Sequence, residues 1–366
     1  MITGKYPNLR LRRSRKYAWS RKLVQESSLS YSDLILPIFL IEGKNKKESI
    51  KSMPNVFRYS VDKLNIAVGK AIKKGIPMVA LFPYISKTKK DEKGSEALNP
   101  DNLVCRGIKF IKKKFKNKIG IMCDVALDPY TSHGHDGLLK KNNILNDKTI
   151  EILTKQAVLQ AKMGCDVIAP SDMMDGRIGK IRSALDKNNL NDVQILSYAV
   201  KFSSSFYGPF RDAVGSKKLL KGDKKTYQMD FRNSDEALRE VSLDIKEGAD
   251  MVMVKPGMPY LDIIKKVKDN FKIPVFAYQV SGEYSLIMNG INKKLIDKTS
   301  IKESLISFKR GGANSIVTYF ADQIDLWLFQ QINKIIPWGR IVLAIRFDNC
   351  FIQKISNYGK AIIYVF

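Results

Sequence analysis

Apolar residues recur in short runs along most of the chain, and each run is bounded by polar, Gly or Pro residues. Runs of this length are typical of buried β-strands. Eight of them occur, at residues 34–41, 78–85, 119–127, 167–172, 193–200, 251–255, 275–282 and 315–321. Amphipathic helical patterns lie between most of them, for example at residues 61–75, 149–164 and 234–248. Alternating strands and helices predict a parallel sheet, and eight such units predict an α/β protein with a (β/α)8 TIM barrel.

The pattern divides the chain into three predicted segments. Residues 1–33 are basic and lack a sustained period, so we expect an extended N-terminal arm. Residues 34–335 contain the strand and helix units and form the predicted catalytic barrel, whose last helix would span residues 322–336. Residues 336–366 are an atypical C-terminal tail, and their sequence indicates no role.

Two lysines stand at the ends of predicted strands. Lys255 closes the apolar run at residues 251–254 and precedes Pro256, and the residue before a proline is held in the extended region. Lys201 closes the run at residues 193–200. Burial lowers the pKa of a lysine, and a second cation nearby lowers it further. A neutral amine at pH 7 can form an imine, although a lone lysine at a strand end can instead extend its ammonium group into solvent.

Further polar residues fall at the predicted C-terminal strand ends, where (β/α)8 barrels carry their active sites. They are Asp124 and Asp128 after the third strand, Ser171 and Asp172 after the fourth, Ser281 after the seventh and Tyr319 within the eighth. Together with the two lysines, these residues define one predicted active site.

The charge of the chain is strongly positive, because 63 basic and 36 acidic residues among 366 give a formal net charge of +27. Such a balance is typical of proteins that bind nucleic acids or membrane surfaces. The lysines are nevertheless spread along stretches that resemble exposed helix faces and loops, and no basic motif interleaved with aromatic residues occurs. We therefore expect no nucleic-acid partner, and basic nucleic-acid binding stays an alternative that salt-dependent retention on DNA or RNA would reveal.

The cysteines and the apolar runs also indicate the compartment. Cys105, Cys123, Cys165 and Cys350 show no CxxC spacing, so neither a zinc ribbon nor a disulfide framework is indicated. This usage is typical of a reducing environment, and we expect a cytoplasmic protein. No apolar run approaches the ~20 residues that a membrane span needs, so we expect no membrane partner.

Long motifs around these residues resemble the porphobilinogen synthase family, whose members are also called 5-aminolevulinate dehydratases. The motifs are DVALDPYTSHGHDG (124–137), APSDMMDGRIG (169–179), KFSSSFYGPFRDA (201–213), TYQMD (226–230), EGADMVMVKPGMPYLDII (247–264), YQVSGEYS (278–285) and TYFA (318–321). The resemblance extends from about residue 8 to about residue 330. It implies a hydro-lyase that condenses two molecules of 5-aminolevulinate to porphobilinogen, with loss of two waters, in tetrapyrrole (haem) biosynthesis.

The resemblance also implies roles for individual residues. Lys255 would hold one substrate molecule as a Schiff base, and Lys201 would hold the other. The implied substrate-binding residues are Arg211, Lys224, Ser281, Tyr319, Asp124 and Ser171. Arg211 and Lys224 would bind the carboxylate of the substrate at Lys201, and the adjacent Lys225 stays an alternative to Lys224. Ser281 and Tyr319 would hydrogen-bond the carboxylate of the other substrate.

A metal preference follows from the same resemblance. Zinc-using relatives carry three cysteines after the third strand, where this chain has Ala126, Asp128 and Asp136. Oxygen ligands favour Mg2+ or a monovalent cation, so Asp128 and Asp136 are a candidate cation site and no zinc is expected. In the zinc-independent branch, the residue corresponding to Glu240 binds an activating Mg2+ away from the active site. An ordinary surface position on a helix is the alternative for Glu240.

Two further points stay open. A class I aldolase or transaldolase would share the barrel and a Schiff-base lysine, but it would need only one such lysine. His133 and His135 flank a glycine beside the aspartates and would suit a metal hydrolase, whereas the resemblance implies a lid or a substrate-contacting loop.

The basic arm and the family both suggest a homo-octamer.

Overall fold

The computed structural model describes residues 4–216, 219–220, 222–323, 341–347, 350–357 and 360–365. The chain divides into two compact units, Met1–Asp322 and Gln323–Phe366. The predicted helix at residues 322–336 lies outside the described residues, apart from its first two positions. No helix of the described residues is long and apolar enough to cross a membrane.

The first unit contains a closed barrel of eight parallel strands, which confirms the predicted (β/α)8 fold. The strands are β1 (Leu34–Leu40), β2 (Met78–Pro83), β3 (Gly120–Val125), β4 (Val167–Pro170), β5 (Gln194–Lys201), β6 (Met251–Lys255), β7 (Val275–Tyr278) and β8 (Ser315–Val317). Each strand pairs with the next, and β8 closes the barrel by pairing with β1 through Leu34 with Ile316 and Ile35 with Val317. Every residue of β1 and of β6 is buried, as expected for strands that are covered on both faces.

Ten α-helices lie in the part of the chain that the structure describes. They are α1 (Ala18–Leu23), α2 (Leu64–Lys74), α3 (Leu103–Phe115), α4 (Asn146–Lys162), α5 (Arg177–Lys187), α6 (Gly208–Ala213), α7 (Asp235–Lys246), α8 (Leu261–Asn270), α9 (Ser281–Asn292) and α10 (Thr299–Gly311). In α3 the Asn102 side chain accepts a hydrogen bond from the Cys105 amide and caps the helix, and one apolar stripe of the helix is buried. The lysines of its last turn lie at the carbonyl end of the helix, which favours positive charge.

The last two predicted strands are each four residues shorter than expected. Strand β7 ends at Tyr278, because the Glu283 carboxylate accepts a hydrogen bond from the Val280 amide and so begins α9 at Ser281. Strand β8 ends at Val317, and the hydroxyl of Thr318 then accepts a hydrogen bond from the Phe320 amide in a turn. The prediction that Tyr319 lies within the eighth strand was therefore wrong, since Tyr319 follows it.

An antiparallel hairpin extends from the C-terminal end of β1. Its strands are Lys47–Ser49 and Phe57–Tyr59, and the second pairs with β1 through Phe39 with Arg58 and Leu40 with Tyr59. This pairing places Arg58 at the end of the barrel where the predicted site lies.

The N-terminal residues contribute no strand to the barrel. Residues 4–33 form short helical turns and α1, and they expose large apolar side chains, including Trp19 and Leu23. The second unit contains three antiparallel strands, Ile341–Phe347, Cys350–Asn357 and Lys360–Val365. The predicted boundaries at residues 33 and 335 remain predictions.

Candidate active site

The two strand-end lysines are direct neighbours in the barrel. Strands β5 and β6 pair in parallel, and in their register Lys255 lies opposite Lys201. Both side chains are buried, with relative exposures of 5% for Lys201 and 7% for Lys255. The strand ends therefore place two amines side by side in a site that excludes most water.

Lys255 lies among aromatic rings. Its Nζ atom is 4.7 Å from the ring centroid of Tyr278, 4.9 Å from that of Tyr198, 5.3 Å from that of Phe210 and 5.6 Å from that of Tyr207. Ring faces attract an ammonium group, but burial disfavours it more strongly. Burial, with the charge of Lys201 adding to it, lowers the pKa of Lys255 to about 7, although Asp124 opposes the shift. A large fraction of Lys255 is thus a neutral amine near neutral pH.

Lys201 is held by oxygen acceptors instead. Its Nζ atom donates to Asp136 Oδ1 at 3.1 Å and to the backbone carbonyl of Ser171. Ser171 therefore contacts the lysine through its main chain, while its hydroxyl interacts with Asp124. This arrangement fixes the position of the Lys201 amine relative to strands β4 and β5.

Asp136 connects Lys201 to Lys224. Lys224 Nζ lies 2.7 Å from Asp136 Oδ2 and 3.5 Å from Asp128 Oδ2, and the Tyr227 hydroxyl also donates to Asp136 at 2.9 Å. Burial alone would raise the pKa of Asp136, but the ammonium groups of Lys201 and Lys224 hold it well below its usual range. A single buried carboxylate thus bridges both lysines.

The structure distinguishes Lys224 from Lys225. Lys224 is buried, and Asp128 and Asp136 raise its pKa against the effect of burial. The side chain of Lys225 is 73% exposed and lies 3.9 Å from Asp223. Arg211, on α6, is half-buried, and its positive charge acts on both Lys224 and Tyr207. Arg211 and Lys224 therefore approach the same part of the site.

Ser281 and Tyr319 lie on the side of Lys255. Ser281 is the first residue of α9, and its hydroxyl accepts a hydrogen bond from the Phe210 amide at 2.8 Å. The hydroxyls of Tyr319 and Tyr278 lie 3.0 Å apart, and the Tyr278 ring faces Lys255. Both predicted groups are buried hydroxyls that can donate to an anion.

Asp124 lies on β3, one residue before the end of the strand. It is half-buried, and its buried Oδ1 atom has no hydrogen-bond partner among the described residues. Burial raises its pKa to about 6, against the charges of Lys255 and Lys201, which favour the carboxylate. A carboxyl group with this pKa can both give and take a proton near neutral pH.

The histidines belong to the same loop but take other roles. His135 Nδ1 lies 3.1 Å from the Tyr227 hydroxyl, and His133 Nε2 lies 3.3 Å from the carbonyl of Glu92. Within the described ranges, no group of three or more His, Cys, Asp or Glu side chains could hold a metal ion. His135 instead supports Tyr227, which in turn donates to Asp136.

Glu240 is separate from this cluster. It lies on α7, in the outer layer of the barrel, and it is half-buried. Burial raises its pKa, and the nearby carboxylates of Asp244, Asp175 and Glu236 add to the effect while Arg177 opposes it. The region around Glu240 therefore has an excess of negative charge.

The sequence did not identify the aromatic side chains around Lys255. Tyr198 and Tyr278 fall within predicted strands and Phe210 within a motif of the resemblance, but no role was predicted for these three rings. A signal was present, since Tyr198 lies on β5 and Tyr278 closes β7, the two strands on either side of β6. Only the register of the closed barrel shows that these rings face Lys255.

Comparison with known proteins identifies similar chains. The family described as Delta-aminolevulinic acid dehydratase matches residues 8–327. A delta-aminolevulinic acid dehydratase of Bradyrhizobium diazoefficiens is 58% identical, covering 86% of this chain and 89% of the relative. One of Rhodobacter capsulatus is 48% identical, covering 88% and 97%. A crystal structure of the Toxoplasma gondii delta-aminolevulinic acid dehydratase (porphobilinogen synthase), in complex with the reaction product porphobilinogen, has a TM-score of 0.86 and 44% identity, covering 89% and 93%.

The lowered pKa of Lys255 gives a direct prediction. Reductive methylation with formaldehyde at increasing pH should modify Lys255 with a midpoint near pH 7, because the amine is neutral above its pKa of about 7. In the denatured chain the same lysine should show the ordinary midpoint near ~10.4. Mass spectrometry of the peptide that contains Lys255 measures both midpoints. Equal midpoints in the folded and denatured protein would contradict the prediction.

Proposed function

Because the chain belongs to the delta-aminolevulinic acid dehydratase family, we propose that it condenses two molecules of 5-aminolevulinate to porphobilinogen through imines at Lys255 and Lys201. The enzyme is a lyase of this family. The observation that carries the proposed chemistry is the register of β5 and β6, which brings the two buried lysines together. An aldolase needs one such lysine, so the pair favours a reaction with two ketone substrates.

The imines account for the loss of two waters. The neutral Lys255 amine attacks the ketone carbon of one substrate, and the ketone oxygen leaves as water once it has been protonated. Lys201 forms a second imine once its ammonium group has lost a proton, and it releases the second water. When the two substrates join to each other, the new carbon–carbon and carbon–nitrogen bonds replace both bonds to lysine, so both amines are regenerated.

The surrounding residues supply proton transfer and orientation. We propose that Asp124, whose pKa is about 6, exchanges protons with the reacting groups and that Ser171 contacts the substrate beside it. Arg211 and Lys224 bind the carboxylate of the substrate at Lys201. This proposal is supported by Asp136, which joins Lys224 to Lys201. Ser281 and Tyr319 bind the carboxylate of the substrate at Lys255, next to Tyr278.

The loop that contains α6 covers Lys255 and carries Arg211. We propose that it acts as a lid, closed by the carboxylate of the second substrate, which keeps water from the imines. The proposal is supported by the Phe210 ring, which lies over Lys255, and by the effect of the Arg211 charge on Lys224.

Metal requirements are proposed from the donor atoms. The candidate cation site at Asp128 and Asp136 stays a prediction, and the residues do not suit a divalent ion there, because the Lys224 ammonium lies between the two carboxylates. We derive no step from a cation at this position. Thiolate ligands are absent from these two positions, which supports independence from zinc.

Glu240 suits an activating Mg2+. This ion often keeps several waters and binds proteins through one or two carboxylates, and the negative charge around Glu240 would attract it. Arg177 would connect Glu240 electrostatically to the active site. It is buried between Asp244, at 3.4 Å, and Asp172, at 3.5 Å. Asp172 follows Ser171, whose carbonyl holds Lys201. A Mg2+ ion held by Glu240 would stabilise these contacts electrostatically. It would take no part in a chemical step.

The assembly is also proposed. We infer a homo-octamer in the cytoplasm, with no nucleic-acid or membrane partner. The proposed assembly is supported by the apolar side chains that residues 4–33 expose, such as Trp19 at 66% and Leu23 at 79%, because a second copy would cover them. Light scattering of the purified protein would test the number of subunits.

The proposed function predicts that an imine at Lys255 is essential for the reaction. Borohydride reduction in the presence of 5-aminolevulinate should trap an adduct at Lys255, and Lys255→Ala should abolish porphobilinogen formation while the barrel stays folded, because no other group can form this imine. Mass spectrometry and far-ultraviolet circular dichroism measure the two results. The same trap with a sugar phosphate tests the aldolase alternative. Parent rates in the variant, or an adduct with sugar phosphate only, would refute the proposal.

The adjacent lysines at 224 and 225 form a matched pair. Lys224→Ala should raise the 5-aminolevulinate concentration for half-maximal rate by roughly ten-fold or more, because it removes a charge-assisted contact to the substrate carboxylate. Lys225→Ala should change it less than about two-fold, because exposed ion pairs contribute little. Steady-state kinetics of both variants decide between the two lysines. Equal effects would show that the burial of Lys224 does not identify the carboxylate ligand.

The metal proposal predicts activation without zinc. A zinc-selective chelator should leave the rate unchanged, and removal of Mg2+ should lower it by about 5- to 150-fold, the usual range of coupling between two sites. Glu240→Ala should lose the response to Mg2+ and keep the basal rate, whereas Glu303→Ala, at an exposed position on α10, should respond like the parent. A stoichiometric zinc requirement in the purified enzyme would overturn the proposal.

A further inference from the structure

Helix α6 brings two residues to the active site. Phe210 places its ring over Lys255, 5.3 Å from Nζ, and Arg211 follows it in the chain. The helix has only six residues, and isolated helices of this length are not stable in water. Contacts from other parts of the fold must therefore keep α6 in place.

Arg58 binds the C-terminal end of α6. Its Nε atom donates to the carbonyl of Ala213 at 2.7 Å, and its Nη2 atom donates to the carbonyl of Asp212 at 2.6 Å. The last carbonyls of a helix lack partners within the helix and form the negative end of its dipole, so a planar cation with two parallel donors suits them. The guanidinium carbon of Arg58 also lies 4.6 Å from the centroid of the Tyr84 ring.

Two further contacts hold the same end of the helix. The Ser52 hydroxyl, in the turn of the hairpin, donates to Asp212 Oδ2 at 2.6 Å. Gly215 has a φ of +70°, and a Cβ atom there would lie 2.6 Å from the Tyr84 ring, so the chain leaving α6 packs directly on this tyrosine. At the other end, the Phe210 amide donates to Ser281. The hairpin of β1 and the first residue of α9 thus hold α6 from opposite sides.

We propose that Arg58 is a positioning residue of the reaction, which fixes α6 so that Phe210 covers Lys255 and Arg211 faces the carboxylate-binding side of the site. Arg58 itself contacts only the α6 carbonyls and Tyr84 among the groups described above. Its effect on catalysis therefore passes through α6. The proposal rests on the proposed imine chemistry only for its kinetic consequences, because the position of α6 can be measured without substrate.

The absence of Arg58 should have three linked effects. Helix α6 should open more often, so its amides should exchange faster with solvent. Arg211 should spend less time at the substrate carboxylate, so more substrate should be needed. Water should reach Lys255 when Phe210 moves away, which relieves the burial that lowers the pKa of Lys255, so the acid limb of the pH profile should move to higher pH.

The experiment compares Arg58→Met with Arg58→Lys. In Arg58→Met, hydrogen exchange of the amides at residues 208–216 should accelerate by roughly ten-fold or more without substrate, on the scale of one charge-assisted hydrogen bond. The half-saturating concentration of 5-aminolevulinate should rise more than kcat falls. Arg58→Lys should lie between parent and Arg58→Met, because one ammonium group cannot reproduce two parallel donors. Arg310→Met, at an exposed position on α10, is the control and should match the parent.

The outcomes separate this proposal from the proposed function. Parent-like exchange at residues 208–216 in a folded Arg58→Met protein overturns the role of Arg58, whatever the activity. Faster exchange with an unchanged half-saturating concentration and an unchanged pH profile overturns the link to catalysis. If Arg58→Met does not fold, Ser52→Ala decides in its place, with a smaller acceleration expected because it removes only the hydroxyl contacts to Asp212 Oδ2 and the Pro209 carbonyl. Absence of any Lys255 adduct in the parent would instead refute the imine chemistry and leave the exchange result valid.

Discussion

The pairing of Lys201 with Lys255 in the register of β5 and β6 is the constraint on which the site depends. Two buried amines side by side repel each other when both carry a charge, and burial removes the water that would screen them. The structure resolves this by giving the two lysines different surroundings. Lys201 has acceptors in Asp136 and the Ser171 carbonyl, whereas Lys255 has aromatic rings. Loss of the proton from Lys255 is therefore the least costly way to relieve the repulsion, which suits it for nucleophilic attack.

A neutral lysine persists only while water is excluded, and this requirement connects the chemistry to the cover of the site. Phe210 supplies one of the rings around Lys255, yet it lies on the six-residue helix α6. Ser281 links the two functions, because its hydroxyl accepts the Phe210 amide and can still donate to a substrate carboxylate. In the proposed function, this hydroxyl therefore accepts the hydrogen bond that holds Phe210 in place and donates the one that binds the carboxylate.

The sequence predicts those features that are local in the chain. Short apolar runs predicted the eight strands, and the proline after Lys255 predicted where β6 ends. The ends of β7 and β8 could not be predicted, because the Glu283 carboxylate and the Thr318 turn set them through contacts that the periodicity does not contain.

Prediction of the active site from the sequence had the same limit. The strand-end lysines were visible as a pattern, whereas the rings around Lys255 and the bonds from Arg58 to α6 join residues far apart in the sequence. The choice between Lys224 and Lys225 was open for another reason. Adjacent identical residues have the same local pattern, and only their burial in the fold separates them.

The charges near Lys201 explain why a substrate carboxylate would bind on that side by ion pairing and on the other side by hydroxyl groups. Asp136 is shared between Lys201 and Lys224, Asp128 contacts Lys224, and Arg211 adds a further positive charge nearby. Positive charge therefore exceeds negative charge among these groups, and binding of a substrate carboxylate, as proposed, would restore the balance. Near Lys255, cationic ligands for the second carboxylate would lower the lysine pKa further and would also compete for the same anion. In the proposed function, neutral donors such as Ser281 and Tyr319 would orient that carboxylate without disturbing the pKa of Lys255, on which imine formation depends.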